Sequence, residues 1–460
     1  MKRWMKKLVS GAVLAGMIIT SPGYIPAAEK TVKAAENDSV YEWDNHDRNI
    51  IYPASETTAE ADSTQSGYGA ERMLDGNNDT RWEASWNNAP SEKVLTFRTK
   101  DGEPEYFTGI KYVSRLDNNI SGTMSSYKIY ASEDGSSYGE EPITEGEIVQ
   151  KLGTFYLDFE EPVKASAIRI VSDAGAISEM RLMYIPTDEG DYTGLLSSAE
   201  ALRSEAEENK GEDIGQWRPS SLEAFDAGLQ IITEKGEQAE QDVRAEVNGM
   251  LVSLTSDLKR ALLTSTTELN QKLREAESLL NAANVGNTPL TYSQEAVDAF
   301  AAVIAEVTST ADNGAAQRGA VQDAQRVLED GIFDFKASQN KPAITYTGTE
   351  RASLSYIMDL LTESHFQGAG TGEDVYLELD YGTELEFESL TFQTWFATQQ
   401  CIKSIKVDYK NAAGEWLPAD GGKEYTMNWA TNTSTSETQK VVFDESLKGT
   451  ALRIYIMAAT

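Results

Sequence analysis

The stretches Phe107-Thr-Gly-Ile-Lys-Tyr-Val113 and Tyr127-Lys-Ile-Tyr-Ala131 decide how the front of the chain folds. Both are short and rich in β-branched and aromatic residues. Turn-formers follow them, Asp117-Asn-Asn119 after the first and Asp134-Gly-Ser-Ser137 after the second. Gly153-Thr-Phe-Tyr-Leu-Asp-Phe159 and Ala167-Ile-Arg-Ile-Val171 repeat the texture. Such residues suit a pleated, half-buried surface, and no helical period runs through them. Many short strands with turns between them predict a β-sandwich over residues 40–187.

Outward from that region the texture changes near Asp188-Glu-Gly-Asp191. Apolar residues then recur at spacings of three and four. Leu195, Ala199 and Leu202 share one face, as do Leu222, Phe225 and Leu229, and again Val247, Leu251, Leu254 and Leu258. These are amphipathic helices. Trp217 and Phe225 are matched 75 positions later by Tyr292 and Phe300. We assign each pair to the second helix of a three-helix unit, one over 192–263 and the other over 265–338. From Ala343 the strand texture returns in Val375–Asp380, Leu390–Trp395, Ile405–Tyr409, Lys440–Phe443 and Ala451–Ile456. A second β-sandwich is expected over 343–460. It stops at Thr460 straight after an apolar strand, so it is expected to be incomplete at its C-terminus and to belong to a longer protein.

Composition narrows the function. The chain has 460 residues, with 40 Lys and Arg against 74 Asp and Glu, a formal charge of −34. Such a surface repels phosphate backbones and anionic membranes, which argues against nucleic-acid partners. A single cysteine, Cys401, excludes an intrachain disulfide framework and a thiolate metal cluster. His46 and His365 are the only histidines, too few for a histidine-rich metal centre. Lys2, Arg3, Lys6 and Lys7 precede an apolar run from Leu8 to Ile19, and small residues follow. Residues 1–34 read as a signal peptide cleaved after Ala28 or Ala34, because the run is short of the roughly 20 residues a span needs. The expected location is secreted or on a bacterial cell surface, with no membrane insertion after cleavage.

The sharpest local motif is Met73-Leu-Asp-Gly-Asn-Asn-Asp-Thr-Arg-Trp82. Carboxylate and amide oxygens on a glycine-containing turn are what a hard cation such as Ca²⁺ takes. The spacing is not that of an EF-hand. The alternative is a plain tight turn at Asp75-Gly76, capped by Asp79. With this motif stand Asn49–Ser55, Tyr112-Val-Ser-Arg115, Tyr127-Lys-Ile-Tyr-Ala-Ser-Glu-Asp-Gly135 and Ile177-Ser-Glu-Met-Arg-Leu182. In that order they resemble a discoidin-like module of the coagulation factor 5/8 type C family, which includes the family 32 carbohydrate-binding modules. The resemblance implies a jelly roll with a structural calcium. Asp75, Thr80 and Glu179 would give side-chain oxygens, and carbonyls would come from near Arg72 and Asn77. It also implies a sugar site with Arg115 on it. Galactose-binding members often place a His directly after the motif Trp, where this chain has Glu83.

A pyranose offers a C–H face that stacks on an aromatic ring, and its hydroxyls need donors and acceptors. Trp86, Tyr68, Arg115, Asn118, Asn119 and Glu83 are the candidate ligand contacts, whereas Trp82 reads as core. Trp86 lies in a loop of Asn, Ala and Pro, where it is either an exposed platform or folded back on the sandwich. The helical units resemble the three-helix FIVAR-like spacers of bacterial surface and glycan-degrading enzymes. Leu377-Glu-Leu-Asp-Tyr-Gly382 resembles a discoidin-like strand again, and Glu415-Trp416 the turn after that module's central strand. His365 and Trp395 read as packing residues rather than ligand contacts. No catalytic constellation stands out. The expected function is an exported glycan-binding region that targets a larger glycan-degrading enzyme. The alternative is a surface adhesion or structural protein whose sandwiches bind host protein.

Overall fold

The computed structural model describes residues 41–116, 120–236, 243–361, 364–394, 401–429 and 437–459. The signal segment 1–34, Asn118, Asn119, Trp395 and Thr460 lie outside the described residues. The chain divides into two compact units, Met1–Arg274 with Ala305–Glu329, and Glu275–Ile304 with Asp330–Thr460.

The first unit opens with a β-sandwich. Its strands are β1 (Ile50–Ile51), β2 (Thr57–Ala61), β3 (Trp82–Glu83), β4 (Lys93–Thr99), β5 (Glu105–Ser114), β6 (Ser126–Ser132), β7 (Thr144–Glu147), β8 (Thr154–Ala165), β9 (Ala167–Ser172) and β10 (Ala176–Ile185). One sheet runs β1-β10-β5-β8, with β3 also paired to β10, and the other runs β2-β4-β9-β6-β7. The opening strand is shorter than Asn49–Ser55, because Pro53 ends it and a 3-10 turn, Ala54–Glu56, follows. Inward residues of the two sheets meet in one core: Leu95 and Phe97 of β4, Ile168 and Ile170 of β9, Phe107, Ile110 and Tyr112 of β5. Trp82 is fully buried among them, and its indole N–H donates to the Ser63 carbonyl at 3.1 Å. The core reading of Trp82 therefore holds.

Helices α1 (Asp191–Glu208), α2 (Pro219–Gly236) and α3 (Arg244–Arg260) come next. Leu195, Ala199, Leu222, Phe225, Val247, Leu251 and Leu258 are buried, as their spacing requires. Strand β11 (Leu263–Ser265) pairs antiparallel with β12 (Ala315–Gln317). Helices α4 (Thr267–Asn281) and α5 (Gln294–Ala311) lie between those strands, and α6 (Arg318–Ala337) follows; the division into units falls within these three.

The helical repeat recurs with one correction. Trp217 and Tyr292 precede the second helix of each set rather than lying in it. Each closes a single parallel bridge, Lys210 with Trp217 and Val285 with Tyr292. Pro219 explains the boundary in the first set, since proline suits the first helical position and disfavours helix before it. Trp217 and Tyr292 are both buried.

The second unit is sheet-rich. Its strands are β13 (Ala343–Tyr346), β14 (Thr349–Glu350), β15 (Gly368–Ala369), β16 (Tyr376–Thr394), β17 (Ile402–Lys410), β18 (Trp416–Pro418), β19 (Tyr425–Thr426) and β20 (Glu437–Ala459). The main sheet runs β13-β16-β20-β17-β18 with β19 on β17, and β14 and β15 form a separate ribbon. Leu377, Leu379, Ile405, Val407, Leu452 and Ile454 fill the core on one face. The opposite face carries Tyr376, Glu378, Arg453, Tyr455 and Asp408 in cross-strand register. Trp416 starts β18 rather than sitting in the turn before it.

Candidate functional site

Strand register assembles a rim at one end of the first sandwich. The start of β10 pairs on one side with β3 (Ala176 opposite Glu83) and on the other with β5 (Ile177 opposite Ser114). Glu83 and Ser114 thus flank the same strand, about 10 Å apart at two interstrand spacings. The loops that leave them turn the same way. Backbone bonds tie these loops together: Ala84 N–H to Gly175 O at 2.9 Å, and Gly175 N–H to Gly122 O at 2.8 Å. Gly122 has φ +83°, and a Cβ there would sit 3.2 Å from the Ala176 nitrogen, so this approach requires glycine.

On this rim Trp86 is 66% exposed, the most exposed large apolar side chain among the described residues. It is exposed but not loose. Its indole N–H donates to Glu83 Oε2 at 2.6 Å, and its backbone N–H donates to Gln65 Oε1 at 3.2 Å. The Tyr68 ring lies beside it, centroids 6.0 Å apart and tilted by 54°. Arg72 and Arg81 each place a guanidinium 5.5 Å from the Tyr68 ring centre.

Two candidate contacts are placed differently from expectation. Glu83 is buried, and its second oxygen accepts from Arg81 Nε at 2.5 Å. It orients the indole from below rather than facing outward. Arg115 is also buried, 9% exposed, with Nη1 donating to the Ser121 carbonyl at 3.1 Å. Its guanidinium folds back onto the loop that follows β5, whose carbonyls need a donor. Sequence reasoning passed over Gln65 and Arg81. The Arg81–Glu83 pair had a signal, since residues two apart in an extended segment share a face. Gln65 had none, standing 21 positions before Trp86.

Below the rim, the turn from Arg72 to Thr80 faces β10. Asp75 accepts from the Asn77 backbone N–H at 2.9 Å and from the Thr80 hydroxyl at 2.6 Å. The Asn77 carbonyl accepts from the Thr80 N–H at 3.0 Å and from its hydroxyl at 2.9 Å. Gly76, at φ +72°, lets the chain reverse here. Glu179 of β10 is buried, and its Oε1 lacks a hydrogen-bond partner. Burial pushes its carboxyl up to about 7; a bond from the Gly76 N–H and the charge of Arg181 oppose this, and nearby Asp75 adds to it. No group of three or more His, Cys, Asp or Glu suited to a metal occurs among the described residues, so Asp75 and Glu179 stand as a carboxylate pair. Nor is any described helix long and apolar enough to cross a membrane.

Comparison with known proteins bears on the sandwich. The F5/8 type C domain family matches residues 56–181. Two galactose oxidase sequences of Gibberella zeae are similar to this chain, one 28% identical over 115 residues and the other 29% identical over 100. The matches cover 25% and 22% of this chain, and only 17% and 15% of those relatives' lengths. Among solved structures, the family 32 carbohydrate-binding module of Clostridium perfringens NanJ in complex with galactose is 24% identical, with TM-score 0.26. That match covers 29% of this chain and 97% of that one. The CBM32-1 and CBM32-2 domains of C. perfringens ZmpB are 11% identical, with TM-score 0.27, covering 89% of this chain and 90% of that one. With two antiparallel sheets closed over Trp82 and the family match across them, residues 56–181 are an F5/8 type C, discoidin-like domain.

Proposed function

We propose that the first sandwich binds carbohydrate on the rim formed by Trp86 and Tyr68, and that a structural Ca²⁺ supports it. The observation that carries the binding is the fixed, exposed indole of Trp86. An indole held by its N–H keeps its ring in one orientation without a covering side chain. That is what stacking against the C–H face of a pyranose needs. Holding the ring in advance removes part of the ordering cost of binding. Arg72 and Arg81 beside Tyr68 bring N–H donors for sugar hydroxyls. Exported and joined to a glycan-degrading enzyme, such a module would raise the local substrate concentration even when each contact is weak.

The calcium reading rests on the donor chemistry. Asp75 and Glu179 would give carboxylate oxygens, Thr80 a hydroxyl, and Arg72 and Asn77 carbonyls. All are oxygens, as a hard cation prefers. A buried carboxylate with an orphaned oxygen beside a second carboxylate is unfavourable without a cation. The bound ion would supply that positive charge and pin the turn to β10.

Two experiments test these readings. On a glycan array, the whole chain should bind at least one glycan tightly, and Trp86→Ala should weaken that binding strongly without lowering the melting temperature. Binding unchanged by Trp86→Ala sinks the rim reading. For the metal, millimolar CaCl₂ should raise the melting temperature relative to EDTA, and Asp75→Ala should erase the difference. Identical melting with Ca²⁺ and EDTA removes the ion.

A further inference from the structure

A second concave site lies well away from Trp86, where the sandwich meets helices α3 and α6 within the first unit. It is an open cleft of about 480 Å³, and all of its lining residues are polar. Thr108, on its sandwich wall, lies six residues before Ser114 along β5, about 20 Å from the rim end of that strand.

Part of the lining is committed to holding the walls together. Arg260 of α3 donates to Asp323 of α6 at 2.8 Å, to Gln322 at 3.3 Å and to the His46 carbonyl at 3.1 Å. Asp47 bridges Lys259 at 3.4 Å and Arg318 at 2.5 Å. Arg48 pairs with Asp158 at 3.2 Å and lies over the Tyr156 ring at 4.6 Å.

Other groups are left with capacity. Thr108 Oγ1 is buried and lacks a hydrogen-bond partner. Arg326 reaches Asp323 only at 3.7 Å, beyond hydrogen-bond range. Asp257 is exposed on the α3 wall. An acceptor, Asp257, and a donor, Arg326, therefore line one space, with the Thr108 hydroxyl buried in its wall.

The chemistry of the occupant follows by elimination. The lining has no apolar side chain, which excludes a hydrophobic ligand. Three arginines are balanced by three aspartates, so neither an anion nor a cation is favoured. A neutral molecule with several hydroxyls fits both kinds of group. Each hydroxyl can donate to Asp257 and accept from Arg326, in charge-assisted bonds stronger than those between neutral groups. We propose that this cleft is a second carbohydrate site, gripping a single saccharide unit edge-on through hydroxyls rather than by ring stacking. The proposal stands apart from the Trp86 reading, since it uses none of the rim residues.

The test uses the whole chain carrying Trp86→Ala, which takes rim binding out of the measurement. Galactose, glucose, mannose and N-acetylgalactosamine are titrated at millimolar concentrations and followed by ligand-observed NMR. Saturable binding of at least one sugar is expected. Asp257→Ala with Arg326→Ala should weaken it by about tenfold or more, from the loss of hydrogen bonds to charged groups, at an unchanged melting temperature. Asp257→Asn, nearly isosteric, should weaken it about threefold and serves if the double variant misfolds. No saturable binding in the Trp86→Ala chain overturns the proposal, as does binding indifferent to all three substitutions. Inorganic phosphate binding there in place of every sugar would overturn it as well. The rim is judged by the binding that Trp86→Ala removes and the cleft by the binding that the Trp86→Ala chain keeps, so the two failures read out separately.

Discussion

Trp86 of the first unit and Trp416 of the second are built from the same kit of a tryptophan, an arginine, a tyrosine and a carboxylate, arranged in opposite ways. At Trp86 the carboxylate of Glu83 takes the indole N–H at 2.6 Å, and the ring remains two-thirds open to solvent. At Trp416 the guanidinium of Arg453 lies on the ring itself, 4.0 Å from its centre. It also sits 4.8 Å from the Tyr376 ring and pairs with Glu378 at 2.8 Å. The aromatic face that a sugar would use is thus covered by a cation from the same sheet. Holding an indole by its edge leaves a platform, whereas holding it by its face makes a closed ladder. The residue types are the same, so the function of such a cluster depends on which atom of the tryptophan its neighbours engage.

The largest test of this contrast lies inside the first sandwich. Trp82→Ala empties the middle of the core and should cost about 3–5 kcal/mol, enough to lower the denaturation midpoint sharply. Trp86→Ala, four residues on, should leave that midpoint where it is, and chemical denaturation of the two variants measures both. A smaller effect is expected at Glu83→Ala, which frees the indole edge and leaves Arg81 without its partner. Restoring one rotamer's freedom to a contact residue is worth about 0.5–1.5 kcal/mol, so glycan affinity should fall roughly three- to tenfold while Trp86 remains present. Affinity equal to that of the unsubstituted chain would mean that holding the ring by its edge has no part in binding.

Much of this was readable from residue order, and the parts that were not share a cause. The strand runs follow from their β-branched and aromatic texture between turn residues, Trp82 read as core within its motif, and Glu179 was pointed to by the family resemblance alone. The helices follow from spacings of three and four. The position of Trp217 ahead of α2 was signalled by Pro219 two residues later. The direction of Arg115 was not readable, because its exposure depends on which carbonyls the following loop turns toward it. Gln65 beneath Trp86 and the cleft groups Thr108, Asp257 and Arg326 come from segments far apart in the chain. Only the folded sheet registers and helix packing bring them together.

The smallest predicted effect is the one that most directly sharpens the comparison. In Arg453→Ala the second unit loses two cation–π contacts, worth about 0.5–1 kcal/mol each where partly exposed. It also loses a surface ion pair worth about 0–1 kcal/mol. Relaxation of neighbouring side chains offsets part of this, so a destabilisation of about 1 kcal/mol is expected in thermal or urea unfolding. Glycan binding by the chain should not fall, because the Arg453 guanidinium lies over the Trp416 ring in the unsubstituted protein. A drop in affinity on Arg453→Ala would show that the ladder itself contacts glycan, and the distinction between edge-held and face-held indoles would fail. A gain of binding that persists in Trp86→Ala would strengthen it, since removing the guanidinium would then have turned a closed ring into an open one.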